Sequence, residues 1–138
     1  MPMEFDQSLK IAASGLRAQS GRMRIIAENI ANADSTARTA DGDPYRRKVP
    51  TFTSTFDKEL GARTVGLGKV ERDRSDFKSR YEPGHPAADA NGYVKYPNVE
   101  TLVESVDMRE AQRSYEANLN IVTATRRMIL RTLDILKA

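Results

Sequence analysis

The chain has 138 residues, of which 39% are apolar and 30% are charged, and its formal net charge is +3. This size fits a single domain, or one helical unit with a modest insertion. Cysteine is absent, so the sequence excludes a disulfide framework and thiolate chemistry. No run of about 20 uncharged apolar residues occurs, and the sequence therefore predicts no membrane-spanning helix.

Charge is unevenly distributed along the chain. Residues 1–36 sum to zero, residues 37–80 to +4 and residues 81–138 to −1. This mild excess in the middle is not the clustered basic face of a nucleic-acid-binding protein, so we do not expect nucleic acid as a partner. The N-terminus also lacks the basic segment, apolar run and small-residue cleavage site of a secretory signal.

The N-terminal segment predicts a long amphipathic helix. Asp6 is a candidate N-cap, and the helix is expected to run to about Ala33 and end within Asn32–Ser35. Gly15 and Gly21 reduce side-chain bulk and would let a neighbouring helix approach closely, although simple tolerance is the alternative. Apolar residues recur at alternating steps of four and three, the spacing of a coiled-coil seam. The seam consists of Phe5, Leu9, Ala12, Leu16, Gln19, Met23, Ile26, Ile30 and Ala33.

The middle of the chain, residues 36–97, lacks helical periodicity. Turn chemistry occurs at Asp41–Pro44 and Pro83–Pro86, and Asn91–Gly92 is a favoured two-residue hairpin turn. Val65–Gly68 alternates apolar residues with glycine, as in a weak or bulged strand. We expect a small, irregular β-rich insertion with long loops. Further strand signals come from aromatic residues among Thr and Val, namely Tyr45, Phe52, Phe56 and Phe77.

The C-terminal segment predicts a second long helix. Pro97 ends the strand-like segment before it, and Asn98 is a candidate N-cap. From Asn98 to Lys137 the sequence contains no Gly or Pro. Acidic residues concentrate in its first half and basic residues in its last half, which matches the helix macrodipole. A seam with the same spacing is formed by Met108, Ala111, Tyr115, Asn118, Val122, Thr125, Ile129, Thr132 and Leu136.

Each seam needs a partner helix, and two seams at opposite ends of one chain can partner each other. The predicted fold class is therefore mainly α. Helices within residues 1–35 and 98–138 are expected to pair as an antiparallel coiled coil and form one discontinuous domain, with residues 36–97 as a β-rich middle segment. A second apolar line beside each seam would stay exposed in a two-helix hairpin, which predicts lateral association of many copies. We expect the terminal helices to be only marginally stable in an isolated subunit and to become ordered when many copies pack side by side.

The sequence offers little support for catalysis. A metal site needs several convergent ligands, and His85 has none at useful spacing, so we expect a histidine that packs in a loop or is exposed. Glu100 and Glu104 share a helix face and could do acid–base work, but stabilisation of the helix start explains them more simply. Gly66–Lys69 lacks the spacing of a phosphate-binding loop. We expect no enzyme activity, cofactor or metal.

Two motifs lie in the first predicted helix, Ala13–Leu16 and Ala27–Ala33. They resemble the N-terminal signature of bacterial flagellar rod and hook proteins. The matches together cover most of the chain, although Thr36–Asp43 and Thr55–Lys78 carry little of the resemblance. The segments that are similar to the proximal-rod members of the basal-body rod family are Pro44–Lys48, Pro83–Pro86, Gly92–Val94, Tyr96–Val99, Val106–Met108 and Arg113–Asn118.

This resemblance implies a structural subunit of the flagellar rod, the drive shaft that crosses the periplasm. In such proteins the terminal helices line a hollow helical tube, and the middle segment packs outward between subunits. The implied partners are other rod subunits, the basal-body membrane ring, the adaptor between ring and rod, and the type III export apparatus. The type III export apparatus exports such subunits unfolded and without cleavage of a signal peptide. The implied location is the rod of the basal body, in the periplasm.

The resemblance and the seams together predict a set of assembly residues. Asn29 and Asn32 match the family's asparagine pair at the end of the first helix, where they could close the helix and bond to neighbouring backbone. Asn118 lies on the seam, where a buried amide can fix helix register; a solvent-facing Asn118 is the alternative. The predicted interface residues are Leu9, Leu16, Met23, Ile26, Asn29, Ile30, Asn32, Arg46, Arg47, Tyr115, Asn118, Val122, Ile129 and Leu136.

The strongest basic run is Arg46–Lys48. Within an assembly, we expect it to pair with acids of the adjacent subunit, and Glu100, Glu104 and Asp107 are the candidate partners.

Two other functions remain open from the sequence. A coiled-coil adaptor, or a secreted export-system component of limited copy number, would also have helical ends but would not grow into polymers. A small nucleic-acid-binding protein would use the basic middle, and its binding would fall steeply with salt.

Overall fold

The computed structural model describes residues 2–137, and in this range two long helices flank six short strands. Helix α1 spans Pro2–Ala31 and helix α2 spans Thr101–Lys137. The prediction of a mainly α chain with a small β-rich middle is confirmed. The strands are β1 (Lys48–Val49), β2 (Phe52–Asp57), β3 (Ala62–Leu67), β4 (Glu71–Arg72), β5 (Lys78–Tyr81) and β6 (Tyr93–Tyr96).

Helix α1 begins earlier than the sequence indicated. It starts at Pro2, and proline is well suited to a first helical position because its missing N–H would have no partner there. Asp6 therefore does not cap the helix; its carboxylate forms an exposed ion pair with Lys10 one turn later, at 3.1 Å. The helix ends at Ala31, close to the predicted end.

Helix α2 begins later than predicted. Its first residue is Thr101, and the N–H of Glu104 donates to the carbonyl of Glu100 at 2.9 Å. Asn98 is not the N-cap, because its side chain is buried and bonded to a different part of the chain.

The strands form three separate antiparallel pairs: β1 with β4, β2 with β3, and β5 with β6. The longest ladder joins β2 to β3, from Phe52 opposite Leu67 to Asp57 opposite Ala62. Its turn is closed by Gly61, whose φ of +69° favours glycine and whose N–H donates to the carbonyl of Asp57 at 2.8 Å. Isolated two-stranded ladders are marginal in water, so each depends on packing against other elements.

The Asn91–Gly92 pair is not a two-residue hairpin turn, which corrects the sequence interpretation. Strands β5 and β6 are instead joined by the whole segment 82–92. The carboxylate of Asp89 accepts hydrogen bonds from the N–H groups of Asn91 and Tyr93, both at 2.9 Å, which holds the wider loop. Gly92 has a φ of +85°, and the ring of Tyr81 lies so close that a Cβ there would meet it at 2.8 Å.

The chain divides into two compact units, and both helices contribute to each. The first unit contains the described parts of Met1–Met23 and Arg109–Ala138 together with Thr51–Lys69. The second unit contains Arg24–Pro50 and Val70–Met108.

In the first unit, the β2–β3 hairpin contacts helix α1. The N–H of Val65 donates to Ser14 Oγ at 3.2 Å, and Gln7 Nε2 donates to the carbonyl of Leu60 at 2.7 Å. Leu67 packs on Gly21, where a Cβ would lie 2.9 Å from its side chain. Gly21 therefore makes room for a strand and not for a helix.

The glycine that faces the other helix is Gly15. A Cβ at this position would lie 2.8 Å from the amide nitrogen and oxygen of Asn118 in helix α2. The close approach that the sequence predicted for a helix pair is therefore found at Gly15.

The second unit has a small core with a large polar share. Its apolar cluster contains Ala87, Val94 and Tyr96, against which Ala37 and Ala88 pack. His85 packs within the loop as predicted, because its Nδ1 accepts the N–H of Ala87 at 3.0 Å and its Nε2 lies 3.4 Å from Thr36 Oγ1. The largest fully buried side chains in the described part of the chain all belong to this unit: Glu104, Val94, Asn29 and Pro97.

Gly15→Ala is expected to lower the free energy of unfolding, because the added methyl group overlaps Asn118. Overpacking costs about 1–3 kcal/mol, whereas alanine gains only about 1 kcal/mol of helix propensity. In an Asn118→Ala background the overlap disappears, and Gly15→Ala should then stabilise the chain. Urea unfolding followed by circular dichroism measures both changes. Gly84→Ala is the control because a Cβ there meets nothing within 4 Å. An identical effect of Gly15→Ala in both backgrounds would contradict this account.

Candidate assembly interface

Arg47 is the centre of an ion-pair cluster in the second unit. Its Nε donates to Oε1 of Glu104, a residue that is only 1% exposed. Its Nη1 lies 3.3 Å from Oδ2 of Asp73, and its Nη2 lies 3.9 Å from Oδ2 of Asp107. One guanidinium thus meets three carboxylates, two of them on the first turns of helix α2 and one in the loop after β4.

The charges of this cluster stabilise one another. Burial disfavours the charged guanidinium, but the hydrogen bond and charge of Glu104, and then those of Asp73, raise the pKa of Arg47 above its usual value. Hydrogen bonds from Ser75, and then Arg47, lower the pKa of Asp73. Glu104 Oε2 is buried and has no hydrogen-bond partner among residues 2–137, so Arg47 is the main compensation for this carboxylate.

These contacts change the expected partners of the basic run. The acids predicted to come from an adjacent subunit lie beside it in the same chain, because Arg47 pairs with Glu104 and Asp107. Glu100 is also paired within the chain, with Lys78 at 2.7 Å. Arg47 therefore joins two parts of one subunit.

Asn98 holds the segment before helix α2 against the same cluster. Its Oδ1 accepts the backbone N–H of Arg47 at 2.8 Å. Its Nδ2 donates to the carbonyls of Asp73 and Ser75, at 3.0 and 3.2 Å. The side chain thus bridges the strand region around β1 to the loop after β4, which explains why it is unavailable for helix capping.

Asn29 performs the equivalent task for helix α1. The side chain is fully buried, and its Oδ1 accepts from the backbone N–H of Lys48 at 3.0 Å and from the hydroxyl of Tyr45 at 2.7 Å. Its Nδ2 donates to the carbonyl of Lys48 at 2.8 Å. Asn29 therefore imitates a strand neighbour of Lys48 and fixes β1 to the helix.

The environment of Tyr45 favours its neutral form. Burial, followed by the negative charges of Glu28 and Glu104, raises the pKa of Tyr45 from 10.0 to about 12. The neutral phenol is also the form that donates to Asn29.

Asn32 closes helix α1. Its Nδ2 donates to the carbonyl of Glu28 at 2.8 Å, and its Oδ1 accepts the hydroxyl of Ser35 at 3.0 Å. Glu28 in turn pairs with Lys48 at 2.6 Å, between side chains that are each more than a third exposed. The two asparagines therefore have different roles: Asn29 binds the backbone of β1, and Asn32 caps the end of helix α1.

The predicted residues of the first unit gather in two places. Asn118 is half-buried against Gly15, and its Nδ2 donates to the carbonyl of Ser114 in its own helix at 3.0 Å. Leu9, Ile129 and Leu136 line one apolar groove together with Phe5 and Leu133, and this groove has a volume of about 480 Å³.

The remaining predicted residues are not brought together into one site. Leu16, Met23, Tyr115 and Val122 are partly buried in the first unit. Ile26 and Ile30 belong to the second unit, where Ile26 is 2% exposed and therefore serves the interior of the subunit.

Sequence reasoning missed several residues that hold the second unit together. Asp73 and Ser75 lie in a segment without periodicity or motif resemblance, so nothing in the sequence marked them. Glu104 was assigned to the helix dipole, but it is the best-buried acidic side chain among those described. A usable signal existed for Tyr45 and Asn98, which lie within the motifs Pro44–Lys48 and Tyr96–Val99.

The described part of the chain shows two further negative findings. Between residues 2 and 137, no three His, Cys, Asp or Glu side chains are placed to hold a metal ion. Neither helix in that range is long and apolar enough to cross a membrane.

Both ends of the chain match models of known families. Residues 9–38 match the family described as flagella basal body rod protein, and residues 90–135 match the family described as flagellar basal body rod FlgEFG protein C-terminal. These ranges contain most of helix α1 and nearly all of helix α2, the elements that carry the seams.

Whole-length relatives decide the family. The chain is 55% identical to the flagellar basal-body rod protein FlgC of Agrobacterium fabrum, over 94% of this chain and 93% of that one. It is 44% identical to FlgC of Salmonella typhimurium, over 91% and 92% of the two chains. FlgC of Bacillus subtilis is 40% identical over 93% and 95%. The chain belongs to the FlgC family of flagellar basal-body rod proteins. The motif resemblance seen in the sequence is thereby confirmed.

Arg47→Ala is expected to lower the free energy of unfolding by roughly 3 kcal/mol, because it leaves the buried Glu104 charge unpaired. Replacing both partners, as Arg47→Met with Glu104→Met, should recover most of this loss since no isolated charge remains. Chemical denaturation monitored by circular dichroism gives the values. Lys10→Ala removes an exposed ion pair and serves as control, with an expected cost below about 0.5 kcal/mol. Equal losses in the single and double Arg47 variants would show that the unpaired charge is not the cause.

Stability is expected to fall at alkaline pH through Tyr45. Because its pKa is raised in the folded state, its contribution is fully present below pH 10.0 and is lost as the pH rises towards about 12. Tyr45→Phe cannot ionise, so its unfolding free energy should decrease less over this pH range. Denaturation curves of both proteins at a series of pH values test the difference. Parallel pH profiles of the two proteins would refute a role for Tyr45 ionisation.

Proposed function

We propose that this chain is a structural subunit of the flagellar basal-body rod, more specifically its proximal part, and that it transmits torque mechanically without chemistry of its own. It assembles with other rod proteins into a hollow helical shaft. Family membership and the surface of helix α2 carry this proposal. Its location is the rod in the periplasm, and its export proceeds without cleavage of a signal peptide.

The C-terminal half of helix α2 exposes more apolar surface than an isolated subunit needs. Large apolar side chains are exposed over a broad part of its circumference, beside a charged stripe, and so broad an apolar surface is suited to burial against more than one helix. Burying this surface at about 25 cal/mol per Å² would favour lateral packing of subunits. The exposed residues are Leu119, Ile121, Met128, Leu130, Leu133, Ile135 and Leu136, with Ile135 and Leu136 at 75% and 76%.

We infer that the terminal helices pair as an antiparallel coiled coil in the assembled rod. Three features of the first unit support this arrangement. Leu9 shares a groove with Ile129, Gly15 approaches Asn118, and Arg22 forms a 3.7 Å ion pair with Glu110. As the numbers rise along α1, those of α2 fall, which is the order of an antiparallel pair. The helices within residues 1–35 and 98–138 would then act as one discontinuous domain, with residues 36–97 packed outward.

The seam residues would complete the contacts between subunits. In this proposal Leu9, Ile129 and Leu136 contact helices of neighbouring subunits through the groove that they line. Tyr115 and Asn118 position the helix pair. Leu16, Met23 and Val122, which are partly buried in the same unit, are further proposed contact positions, and Ile30 is a proposed contact position of the second unit. The wider partners are other rod subunits, the membrane ring, the adaptor between ring and rod, and the export apparatus.

A coiled-coil adaptor of limited copy number is the second candidate function. It would bury the same helices against one partner and would not form extended shafts. The breadth of the exposed apolar surface of α2 favours the polymer, because a single partner helix covers only one stripe.

Leu136→Glu is expected to block rod assembly while leaving the subunit folded. Leu136 is 76% exposed, so a charge there costs the subunit little, but it would be desolvated between packed helices. Electron microscopy of basal bodies and swimming assays, in cells whose only copy is the variant, measure the effect. Circular dichroism of the purified variant checks its fold.

Asn120→Glu is the matched control, because it adds the same charge at an exposed polar position of the same helix. Its effect on motility should be clearly smaller. Normal rods and full motility with Leu136→Glu would overturn the proposal.

A further inference from the structure

Beside the Arg47 cluster, the second unit contains a cleft with a volume of about 360 Å³, here called the Arg46 cleft. Three basic side chains line it, those of Arg46, Lys48 and Arg72, together with the aromatic rings of Tyr45 and Phe77. This volume lies within the range of sites that bind ligands or peptide side chains, about 300–1,000 Å³.

Arg46 is held rigidly inside this cleft. Its Nη1 donates to the carbonyls of Asp73 and Ser75, at 2.8 and 3.1 Å. The guanidinium carbon lies 4.2 Å from the ring centre of Phe77, a cation–π contact. Three contacts therefore fix the plane of the guanidinium, although none of them brings a negative charge.

The remaining donors of Arg46 are free. Among residues 2–137, its Nε and Nη2 have no hydrogen-bond partner, and no carboxylate lies within 4.0 Å of the guanidinium. The Nε and Nη2 atoms of Arg46 are therefore accessible to a ligand. Among residues 2–137, the one buried side-chain atom without a hydrogen-bond partner is Oε2 of Glu104. The Nε–Nη2 edge of an arginine is one of the two edges that can bind a carboxylate in bidentate fashion, and it is the one that stays free here because Nη1 is occupied.

The surrounding charges favour an anion. Arg72 is exposed and has no ion pair among the described residues. Lys48 pairs with Glu28 at the side of the cleft but keeps a third of its side chain exposed. Asp43 is the one acidic residue of the lining, and its exposed carboxylate lies 4.0 Å from Lys95. The lining as a whole is therefore positive.

Arg46 and Arg47 differ in how their charges are compensated within the subunit. Arg47 meets three carboxylates of its own subunit, whereas Arg46 meets only neutral carbonyl oxygens. A pre-oriented, uncompensated guanidinium beside aromatic residues fits a carboxylate on an apolar stem, because the stem can lie against the aromatic lining of the cleft while the carboxylate meets Arg46.

We propose that the Arg46 cleft receives an acidic segment of a neighbouring protein subunit, whose Glu or Asp carboxylate binds the Nε–Nη2 edge of Arg46 in bidentate fashion. This inference rests on the proposed function, since it supplies a specific contact between subunits. It differs from the seam contacts in being polar, salt-sensitive and located in the second unit.

Titration of the ¹⁵N-labelled full chain with a short polyglutamate peptide at low salt tests this inference by NMR. The expected result is shifts confined to Arg46, Arg72 and their neighbours, with none from a polyglutamine peptide of equal length. Arg46→Lys keeps the charge but loses the planar fork, so it should weaken binding about tenfold. Arg38→Gln removes an exposed positive charge outside the cleft and should change the affinity less than twofold.

Three outcomes would overturn the inference: shifts spread over the surface, equal weakening by Arg46→Lys and Arg38→Gln, or inorganic phosphate that binds the cleft as tightly as the peptide. Phosphate binding of that strength would indicate a small-anion site. A test in cells separates this inference from the proposed function. If an Arg46→Lys strain builds normal rods whereas Leu136→Glu does not, the cleft is not a subunit contact but the structural role stands. If Leu136→Glu also builds normal rods, the proposed function itself fails.

Discussion

The second unit depends on one buried charge, the carboxylate of Glu104. A carboxylate that is 1% exposed needs a counter-ion, and Arg47 supplies it. A buried ion pair contributes little net stability compared with apolar packing, but separating its partners is costly. This asymmetry makes Arg47 a constraint on geometry: the strand region around β1, the start of helix α2 and the loop at Asp73 have to meet at one point. Asn98 and Asn29 then accept hydrogen bonds from the backbone N–H groups of Arg47 and Lys48, which would otherwise lack partners at this point.

A polar core of this kind suits a subunit with little apolar interior. The apolar cluster of the second unit is small, and large exposed apolar side chains lie along helix α2. Hydrogen bonds and ion pairs are directional, so they define a single arrangement even where buried apolar area is limited. The apolar surface that is not used inside the subunit remains available for association. The two kinds of interaction then have separate tasks: the polar network defines the geometry of the second unit, and the exposed apolar side chains of helix α2 form the surface that we propose for assembly.

The sequence predicted the features that depend on local periodicity and missed those that depend on distant partners. Both helices follow from apolar spacing, and the asparagines at the end of α1 follow from motif resemblance. Asp6 and Asn98 were assigned as caps because their residue types favour caps. However, Asn98 bonds to Arg47, which is 51 positions away, and to Ser75, 23 positions away. The pairing of Arg47 with Glu104 spans 57 positions. No local rule reveals such partners, so the basic run was predicted to pair with another subunit.

The residues Arg46 and Arg47 show how neighbouring residues of the same type can serve opposite purposes. Arg47 points to the acids of helix α2, and its charge is compensated within the subunit. Arg46 is anchored by backbone carbonyls that orient its guanidinium without neutralising it. Orienting a charge in advance reduces the entropy lost when a partner binds, whereas a flexible surface lysine would lose that entropy on binding. The loop after β4 therefore serves both residues: the carboxylate of Asp73 pairs with Arg47, whereas the carbonyls of Asp73 and Ser75 orient the uncompensated guanidinium of Arg46.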